Sequence, residues 1–337
     1  MLRYIVRRLA QMVLVVLVLS LLLFAWLRSL PGGPVSALLG ERATPESRAQ
    51  LEAALGMDQP IYVQYLRFLG RAVRGDFGVS TGVLPGREVM SIFLSRFPAT
   101  IELSIFAILL AVLIAVPAGY LAARHRGRPL DVAGVLLSLV GVAVPVFFLA
   151  FLLKYVFAVE LGWLPASGRQ TSTIGATRIT GFFVLDGLMT REWDAAWDAF
   201  RHLILPGLAL SSIPFAVIFR ITRASVLDVL DEDYVRTAEA KGLTQAVIRK
   251  RHVLRNAMLP VVTTIGLQIG ALLAGAVLTE KVFSFPGIGD ALARSFEMRD
   301  YAMLQLLIMA AAAVYVIVNL IVDLLYAVID PRVRTAR

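Results

Sequence analysis

The 337-residue chain is 58% hydrophobic and 17% charged, whereas soluble domains average about 45–50% apolar and about 25% charged residues. This composition predicts a membrane protein, and the net charge of +9 is attributed to loop residues that set topology, not to nucleic-acid binding. The absence of cysteine excludes disulfides and thiolate metal sites, and the three histidines are too dispersed for a metal cluster.

Six apolar segments are about as long as the roughly 20 residues that a helix needs to cross a bilayer. They cover approximately residues 9–27, 101–123, 132–159, 203–221, 259–278 and 303–329. Pro206 and Pro214 interrupt the fourth segment, which is the weakest of the set. The first segment has about 19 apolar residues, more than the roughly 7–15 of a signal peptide, so we expect an uncleaved span. The pattern predicts an all-α, polytopic membrane protein with six transmembrane helices.

Lysine and arginine predict the orientation of these spans, because they concentrate in short loops on the cytoplasmic side. The basic start, the loop at 124–128 and the polar stretch between the fourth and fifth segments would face the cytoplasm, as would both termini. Longer segments at 28–100 and 160–202, and a short one near 281–301, would lie outside.

The first outer segment contains two predicted helices. Thr44 is placed to cap the first helix, Pro45 suits its first position and Gly56 suits its end. Asp58 is placed to cap the second, an amphipathic helix that we expect to pack on the spans or lie at the membrane interface. The apolar face of this second helix is predicted to consist of Ile61, Tyr65, Leu69 and Val73.

The second outer segment begins with a stretch rich in Ser, Thr and Gly, residues 164–181, which predicts a loop. Trp193, Trp197 and Phe200 follow at spacings of four and three, which suits anchoring at the membrane interface. Neither this segment nor the rest of the chain shows a nucleophile or metal-ligand pattern.

A polar stretch, DYVRTAEAKGLTQAVIRKRHVLRNAMLP (Asp233–Pro260, here called the insert), separates the fourth and fifth apolar segments. It predicts a helix that ends at a left-handed Gly242, followed by a basic helix that Thr244 caps and that Leu243 and Ile248 staple. The proline that ends the insert is expected to begin the next span. Three interpretations stay open: a stiff coupling element for a soluble partner, a positively charged loop that happens to be helical, and a site for anionic lipid headgroups.

The insert resembles the EAA-type cytoplasmic loop of bacterial ABC importer permeases, in the variant found in peptide and nickel permeases. Four other stretches are similar to the same family, in the family's order. They are LGMDQPIYVQYLRFLGRAVRGDFGVS (55–80), RFPATIEL (96–103), EKVFSFPGIG (280–289) and DPRVR (330–334). These stretches are spread over nearly the whole chain and most resemble the B-type permease subunits of dipeptide and oligopeptide importers.

The general loop of the wider family has Glu-Ala-Ala six residues before its glycine, where this chain has Arg236, Thr237 and Ala238. The acidic residue is Glu239 instead, a departure typical of the peptide branch. The resemblance implies that an ATPase contacts this loop, above all at the turn formed by Ala240, Lys241, Gly242 and Leu243. The candidate coupling residues are Arg236, Thr237, Ala238, Glu239, Ala240, Lys241, Gly242 and Leu243.

The resemblance also implies a type I ABC importer permease (MetI-like) fold with a cytoplasmic coupling helix. The expected organisation is an N-terminal cytoplasmic end and first span at 1–29, an extracytoplasmic helical segment at 30–100 and a core permease domain of five spans at 101–337. The coupling segment would occupy 225–260 of the core domain.

By the same resemblance, the chain would pair with a similar second permease in the bacterial cytoplasmic membrane and form half of a path for di- or oligopeptides. Two cytoplasmic ATPase domains would dock beneath, and an outer substrate-binding protein would deliver the cargo. The chain has no Gly-rich phosphate loop. We therefore expect no catalytic residue, cofactor or metal site in it, and we assign ATP and Mg to the partner ATPases.

Two alternatives stay open. A permease of the same family could carry nickel or another non-peptide cargo. A secondary transporter would need ionisable groups near the middle of the membrane, and the candidates are Lys154, Arg220 and Asp323, none of which is clearly central.

Overall fold

The computed structural model describes residues 2–29, 39, 44–54 and 58–329. The chain divides into two compact units, Met1–Ala99 with Pro286–Ile317 and Thr100–Phe285 with Val318–Arg337. The three-part division predicted from the sequence stays a prediction.

The described residues form α- and π-helices and no strand, with one isolated antiparallel bridge between Val79 and Glu88. In chain order the helices are α1 (Leu2–Ser29), α2 (Pro45–Ala54), α3 (Ile61–Val73), α4 (Val89–Arg124), α5 (Pro129–Ala143), α6 (Val146–Leu153), π1 (Lys154–Glu160), α7 (Phe183–Met189), α8 (Trp193–Leu230), α9 (Asp233–Ala240), α10 (Gln245–Val247), π2 (Ile248–Leu254), α11 (Arg255–Val282), α12 (Ile288–Glu297) and α13 (Tyr301–Ile329). The all-α prediction is confirmed.

Four of these helices are long and apolar enough to cross a membrane: α1 from Leu9, α4, α8, and α13 as far as Ile321. Two bent pairs raise the number to as many as six if each pair counts as one span. The first pair is α5 with the helix over Val146–Glu160, and the second joins Gln245–Leu272 to Ala276–Val282. A polytopic membrane protein is therefore confirmed, whereas the exact count of six spans is not.

The third predicted span consists of two helices and not of one straight helix. Its two halves meet at an angle of 104°. The break falls at Val144, which leaves the helical region (φ −83°, ψ 122°) directly before Pro145. The residue before a proline is restricted to extended conformations, so α5 ends there and α6 starts in a new direction.

The N-terminal end of α2 has the predicted cap. The Ser47 amide donates to Thr44 Oγ1 at 3.2 Å, and the Thr44 amide donates to Ser47 Oγ at 3.0 Å. Two amides that lack partners inside the helix are thereby satisfied reciprocally, as in a capping box. The predicted stop at Gly56 lies outside the described residues.

The predicted cap of α3 is wrong, because the helix begins at Ile61 and Pro60 occupies the capping position without a side-chain hydrogen bond. A start at Asp58 would put Gln59 in the helix immediately before a proline, which is disfavoured.

The predicted apolar face of α3 is wrong at both ends, since Ile61 is 59% and Val73 82% exposed. The buried side chain is Phe68, which stacks on Phe24 of α1 with ring centroids 5.6 Å apart, and Tyr65 meets the same ring edge-on at 5.3 Å. Each step of four residues overshoots a helical turn by about 40°, so a stripe built on such steps drifts off one face.

The short segment near 281–301, which was predicted to lie outside, contains a helix that was not predicted from the sequence, α12. Its Ile288 and Ala291 are buried together with Val89 and Ile92 of α4 and Met303 of α13. The first unit therefore has its own apolar core.

The second unit is built around α8, a continuous helix of 38 residues. Pro206 and Pro214 lie inside α8 and are buried, so the predicted interruption of the fourth span is wrong. Glycines let neighbouring helices approach it closely. A Cβ on Gly134 of α5 would lie 2.6 Å from Cζ of Phe219, and a Cβ on Gly119 of α4 would lie 2.8 Å from the Phe219 carbonyl oxygen.

Gly119→Ala is expected to destabilise the chain by about 1–3 kcal/mol, the usual cost of overpacking a well-packed contact. The clash is with a backbone oxygen of α8, which cannot rotate away as a side chain can. Thermal unfolding followed by tryptophan fluorescence would measure the loss. Gly70→Ala is the matched control, because a Cβ at that helical glycine meets no atom within 4 Å. Equal unfolding temperatures for the two variants would contradict this account of the helix contact.

Candidate functional site: the insert and its turn

The first helix of the insert, α9, ends in a turn that only a glycine adopts easily. Gly242 has φ +73°. Its amide donates to the Glu239 carbonyl at 2.9 Å, and the Leu243 amide donates to the Ala238 carbonyl at 3.3 Å. These are the two hydrogen bonds of a Schellman motif, which satisfies the last carbonyls of a helix. The turn at Gly242 is where the sequence predicts it.

The second helix of the insert differs from the prediction in two respects. Thr244 occupies the capping position with extended backbone, but its side chain makes no capping hydrogen bond. Pro260 lies inside α11 and does not begin it. Helices α10, π2 and α11 follow one another without a gap, so the basic helix of the insert continues directly into the predicted fifth span.

The apolar side of the insert packs against the ends of two other helices. Val235 and Ile248 of the insert are each 2% exposed and share a buried cluster with Ala123 of α4 and Val226 of α8. The cluster also contains Ala238, Val253 and Ala257. The insert is therefore fixed to α4 and α8 by packing and to α11 by covalent continuity.

Seven of the eight candidate coupling residues lie on the surface. Ala238 is the exception, since it is 4% exposed and belongs to the buried cluster; its place is in the packing beneath the turn. Arg236 lies 3.8 Å from the Asp233 carboxylate, but both side chains are largely exposed, so this pair contributes little. The exposed residues are Arg236, Thr237, Glu239, Ala240, Lys241, Gly242 and Leu243.

A half-buried ion pair near the insert was not predicted from the sequence. Arg223 of α8 donates to Asp131 of α5 in a bidentate arrangement, Nε to Oδ1 at 2.5 Å and Nη2 to Oδ2 at 2.8 Å. Arg223 lies one helical turn from Val226, which packs on the insert. The two partners are 92 residues apart in the chain, so no local pattern indicates the pair.

Of the three ionisable residues considered for a secondary transporter, the structure describes the side chains of Lys154 and Arg220. Lys154 Nζ donates to the Val282 carbonyl at the end of α11 at 2.8 Å, a favourable place for a cation. Arg220 is exposed on α8. The side chain of Asp323 lies outside the described residues. Among the described residues, no group of three His, Asp or Glu side chains is placed to hold a metal ion.

These features define a class: a polytopic helical membrane protein with a stiff polar insert whose exposed turn is fixed to three helices. Comparison with known families is specific. Residues 115–335 match the family described as "Binding-protein-dependent transport system inner membrane component", and residues 1–104 match the N-terminal membrane component of such systems. The chain belongs to this family.

Curated relatives match along the full length. The chain is 44% identical over 338 residues to the di/tripeptide transport system permease protein DppB of Pseudomonas aeruginosa, covering 100% of both chains. It is 42% identical over 334 residues to the dipeptide transport system permease protein DppB of Alkalihalophilus pseudofirmus, covering 99% of this chain and 100% of the relative. It is 40% identical over 334 residues to the glutathione transport system permease protein GsiC of Escherichia coli, covering 99% of each.

Proposed function

We propose that the chain is the transmembrane subunit of an ATP-driven importer of di- and oligopeptides, and that it forms half of the translocation path. The observation that carries this proposal is full-length similarity to permeases named for dipeptides and di/tripeptides, at 42–44% identity. The chain acts without catalytic residues of its own, and ATP and Mg bind to partner ATPase domains.

The insert couples these ATPases to the path. Its exposed turn, Ala240 to Leu243, lies in a cleft of one ATPase. Because the insert packs on α4 and α8 and continues into α11, a displacement of the turn moves three helices together. Closure of the ATPases on ATP thereby turns the cavity from inward-facing to outward-facing, and hydrolysis resets it.

The working assembly contains a similar second permease, two ATPase domains and an extracytoplasmic substrate-binding protein. It lies in the bacterial cytoplasmic membrane, with both termini of this chain in the cytoplasm. Positive charge in the short loops, including 124–128 and the insert, supports this orientation.

A second candidate is a permease of the same family for a different cargo. A relative named for glutathione is 40% identical, close to the identity of the dipeptide permeases. Cargo choice in such systems is expected to lie mainly in the delivery protein, so one permease architecture can serve several cargoes.

Reconstitution of the complete importer in liposomes would test the proposal. We expect uptake of a labelled dipeptide that requires ATP, the ATPases and the binding protein together, and mass spectrometry of the purified binding protein should identify a peptide. Uptake of a nickel chelate without peptide uptake would favour the second candidate. Peptide uptake by this chain without any ATPase would refute the importer.

A further inference from the structure

The basic helix of the insert forms a concave surface that the coupling role does not explain. Ala246, Val247, Lys250, Arg251 and Arg255 line an open cavity of about 470 Å³, here called the basic pocket. All five residues are exposed. Three of them are cations, so the pocket concentrates positive charge on one side of the helix.

Two of these cations, Lys250 and Arg255, lie five residues apart at the end of a π-helix and line the same pocket. Lys250 lies in π2, and Arg255 is the first residue after π2. In an α-helix, residues five apart are rotated by about 500°, which places them on different faces. The wider π turn closes hydrogen bonds between residues five apart and brings such positions onto one face. Turns of this kind are frequent at functional sites.

The cations of the basic pocket have no protein partner among the described residues. Other basic side chains of the same unit do: Arg169 pairs with Glu102, and Arg223 pairs with Asp131. A group of cations without acidic neighbours attracts an anion from outside the chain.

The surface next to the basic pocket is apolar and belongs to the predicted fifth span. Leu259 lies four residues after Arg255, and Val262 three residues after that, so all three share one face of α11. Leu259 is 46% and Val262 39% exposed. Arg255 is therefore about 6 Å from Leu259 along the helix axis. If Leu259 marks the start of the hydrocarbon region, Arg255 lies within the polar layer of the bilayer.

We propose that the basic pocket binds the phosphate group of an anionic phospholipid of the inner leaflet, with the acyl chains along Leu259 and Val262. The cations of the pocket can meet the anionic headgroup, and the exposed apolar face that follows along the helix can meet the acyl chains. An acidic protein surface would match the cations but not the adjoining apolar face. Lipid bound here holds the basic helix of the insert at the membrane surface, while the turn at Gly242 remains free for the ATPase.

A fluorescent probe at Gln245, beside the pocket, can report lipid binding directly. The natural chain has no cysteine, so Gln245→Cys provides a single labelling site on the full-length chain in nanodiscs. We expect phosphatidylglycerol that carries a quencher on its headgroup to quench this probe more strongly than phosphatidylcholine that carries the same quencher. The ratio of the two effects measures the preference for anionic lipid. Each cation should contribute about fivefold to this preference, so K250Q/R251Q/R255Q should reduce it about 100-fold.

Matched variants separate the pocket from general charge effects. R67Q/R71Q/R74Q removes three exposed cations, two in α3 and one directly after it, and should leave the preference unchanged. K250R/R251K/R255K conserves charge and should keep it. If the glutamine triple variant does not fold, Arg255→Gln alone should still lower the preference about fivefold.

Four outcomes would overturn the proposal. The first three are equal quenching by the two lipids, an unchanged lipid preference in K250Q/R251Q/R255Q, and an equal loss of preference in R67Q/R71Q/R74Q. The fourth is competition by soluble glycerol phosphate that is as strong as competition by lipid, which would indicate a free phosphate ligand. If K250Q/R251Q/R255Q no longer co-purified with the ATPase but kept its lipid preference, the pocket would be assigned to a protein contact instead. Because lipid binding is measured without ATP or cargo, its failure would leave the importer proposal intact.

Discussion

Gly242→Pro is expected to abolish the coupling of ATP hydrolysis to transport while leaving the chain inserted in the membrane. Proline holds φ near −65°, whereas Gly242 has φ +73°. Proline also removes the amide that donates to the Glu239 carbonyl. The turn must therefore adopt another path, and its exposed residues no longer present the same surface to the ATPase. In the reconstituted importer, we expect cargo-stimulated ATP hydrolysis to fall to the unstimulated rate and uptake to be lost.

Gly127→Pro is the matched control for this experiment. Gly127 has φ +74°, and its amide also donates a hydrogen bond, to Asp131 Oδ2 at 2.9 Å. The substitution therefore introduces the same backbone conflict and the same lost donor outside the insert. We expect it to lower stability but to keep ATP hydrolysis dependent on cargo. Normal transport with normal stimulation in Gly242→Pro would show that the turn is not the coupling contact.

Arg169→Ala and Glu102→Ala are each expected to destabilise the chain by about 3–5 kcal/mol, the cost of leaving one charge of a buried pair alone. Arg169 is 5% and Glu102 9% exposed. The guanidinium binds Glu102 Oε2 through both Nε and Nη2, and it also donates to the Gly181 carbonyl at 2.6 Å. Burial lowers the pKa of Arg169, and Glu102 opposes that effect. The isolated cation is thus costly in this environment.

The same pair joins the segment at 160–202 to α4. The other carboxylate oxygen of Glu102 accepts the Val184 amide at 2.9 Å, at the start of α7. Loss of Glu102 should therefore release residues in and before α7, which hydrogen exchange would detect as faster amide exchange there.

A double-mutant cycle on thermal unfolding tests whether the two charges act as a pair. The double variant should lose less stability than the sum of the single variants, with an interaction energy of about 0.5–3 kcal/mol. Arg236→Ala is the comparison, because its ion pair with Asp233 is exposed and should contribute less than about 1 kcal/mol. Additive losses at Arg169 and Glu102 would show that each side chain acts through other contacts.

Local chemistry accounts for what could be predicted from the sequence. The Thr44 cap and the Gly242 turn each rest on hydrogen bonds between residues at most five apart. Long apolar runs predicted α1, α4 and α13, because a span requires continuous hydrophobic length whatever its neighbours are. The polar insert was recognisable because its composition interrupts the apolar runs that a span requires. The contact of its exposed residues with an ATPase stays a prediction.

Other features depended on residues that the chain brings together from far apart. The predicted stripe on α3 failed because the ring of Phe24 on α1 selects the buried side, which periodicity alone places only approximately. Ala238 was predicted among the coupling residues and is buried against α4 and α8. The continuity of α8 through Pro206 and Pro214 depends on burial among neighbouring helices, which the local proline signal does not contain.

By itself, the sequence determined the class of this protein, an all-α membrane chain, and the position of the turn at Gly242, which we propose the ATPases contact. The tertiary structure alone decided which charges are paired, where the third span bends, and that the insert continues into α11 while packing on α4 and α8. The physical reason is range. Caps, turns and hydrophobic length arise between near neighbours, whereas Arg169 meets Glu102 and Arg223 meets Asp131 only when the bundle has formed.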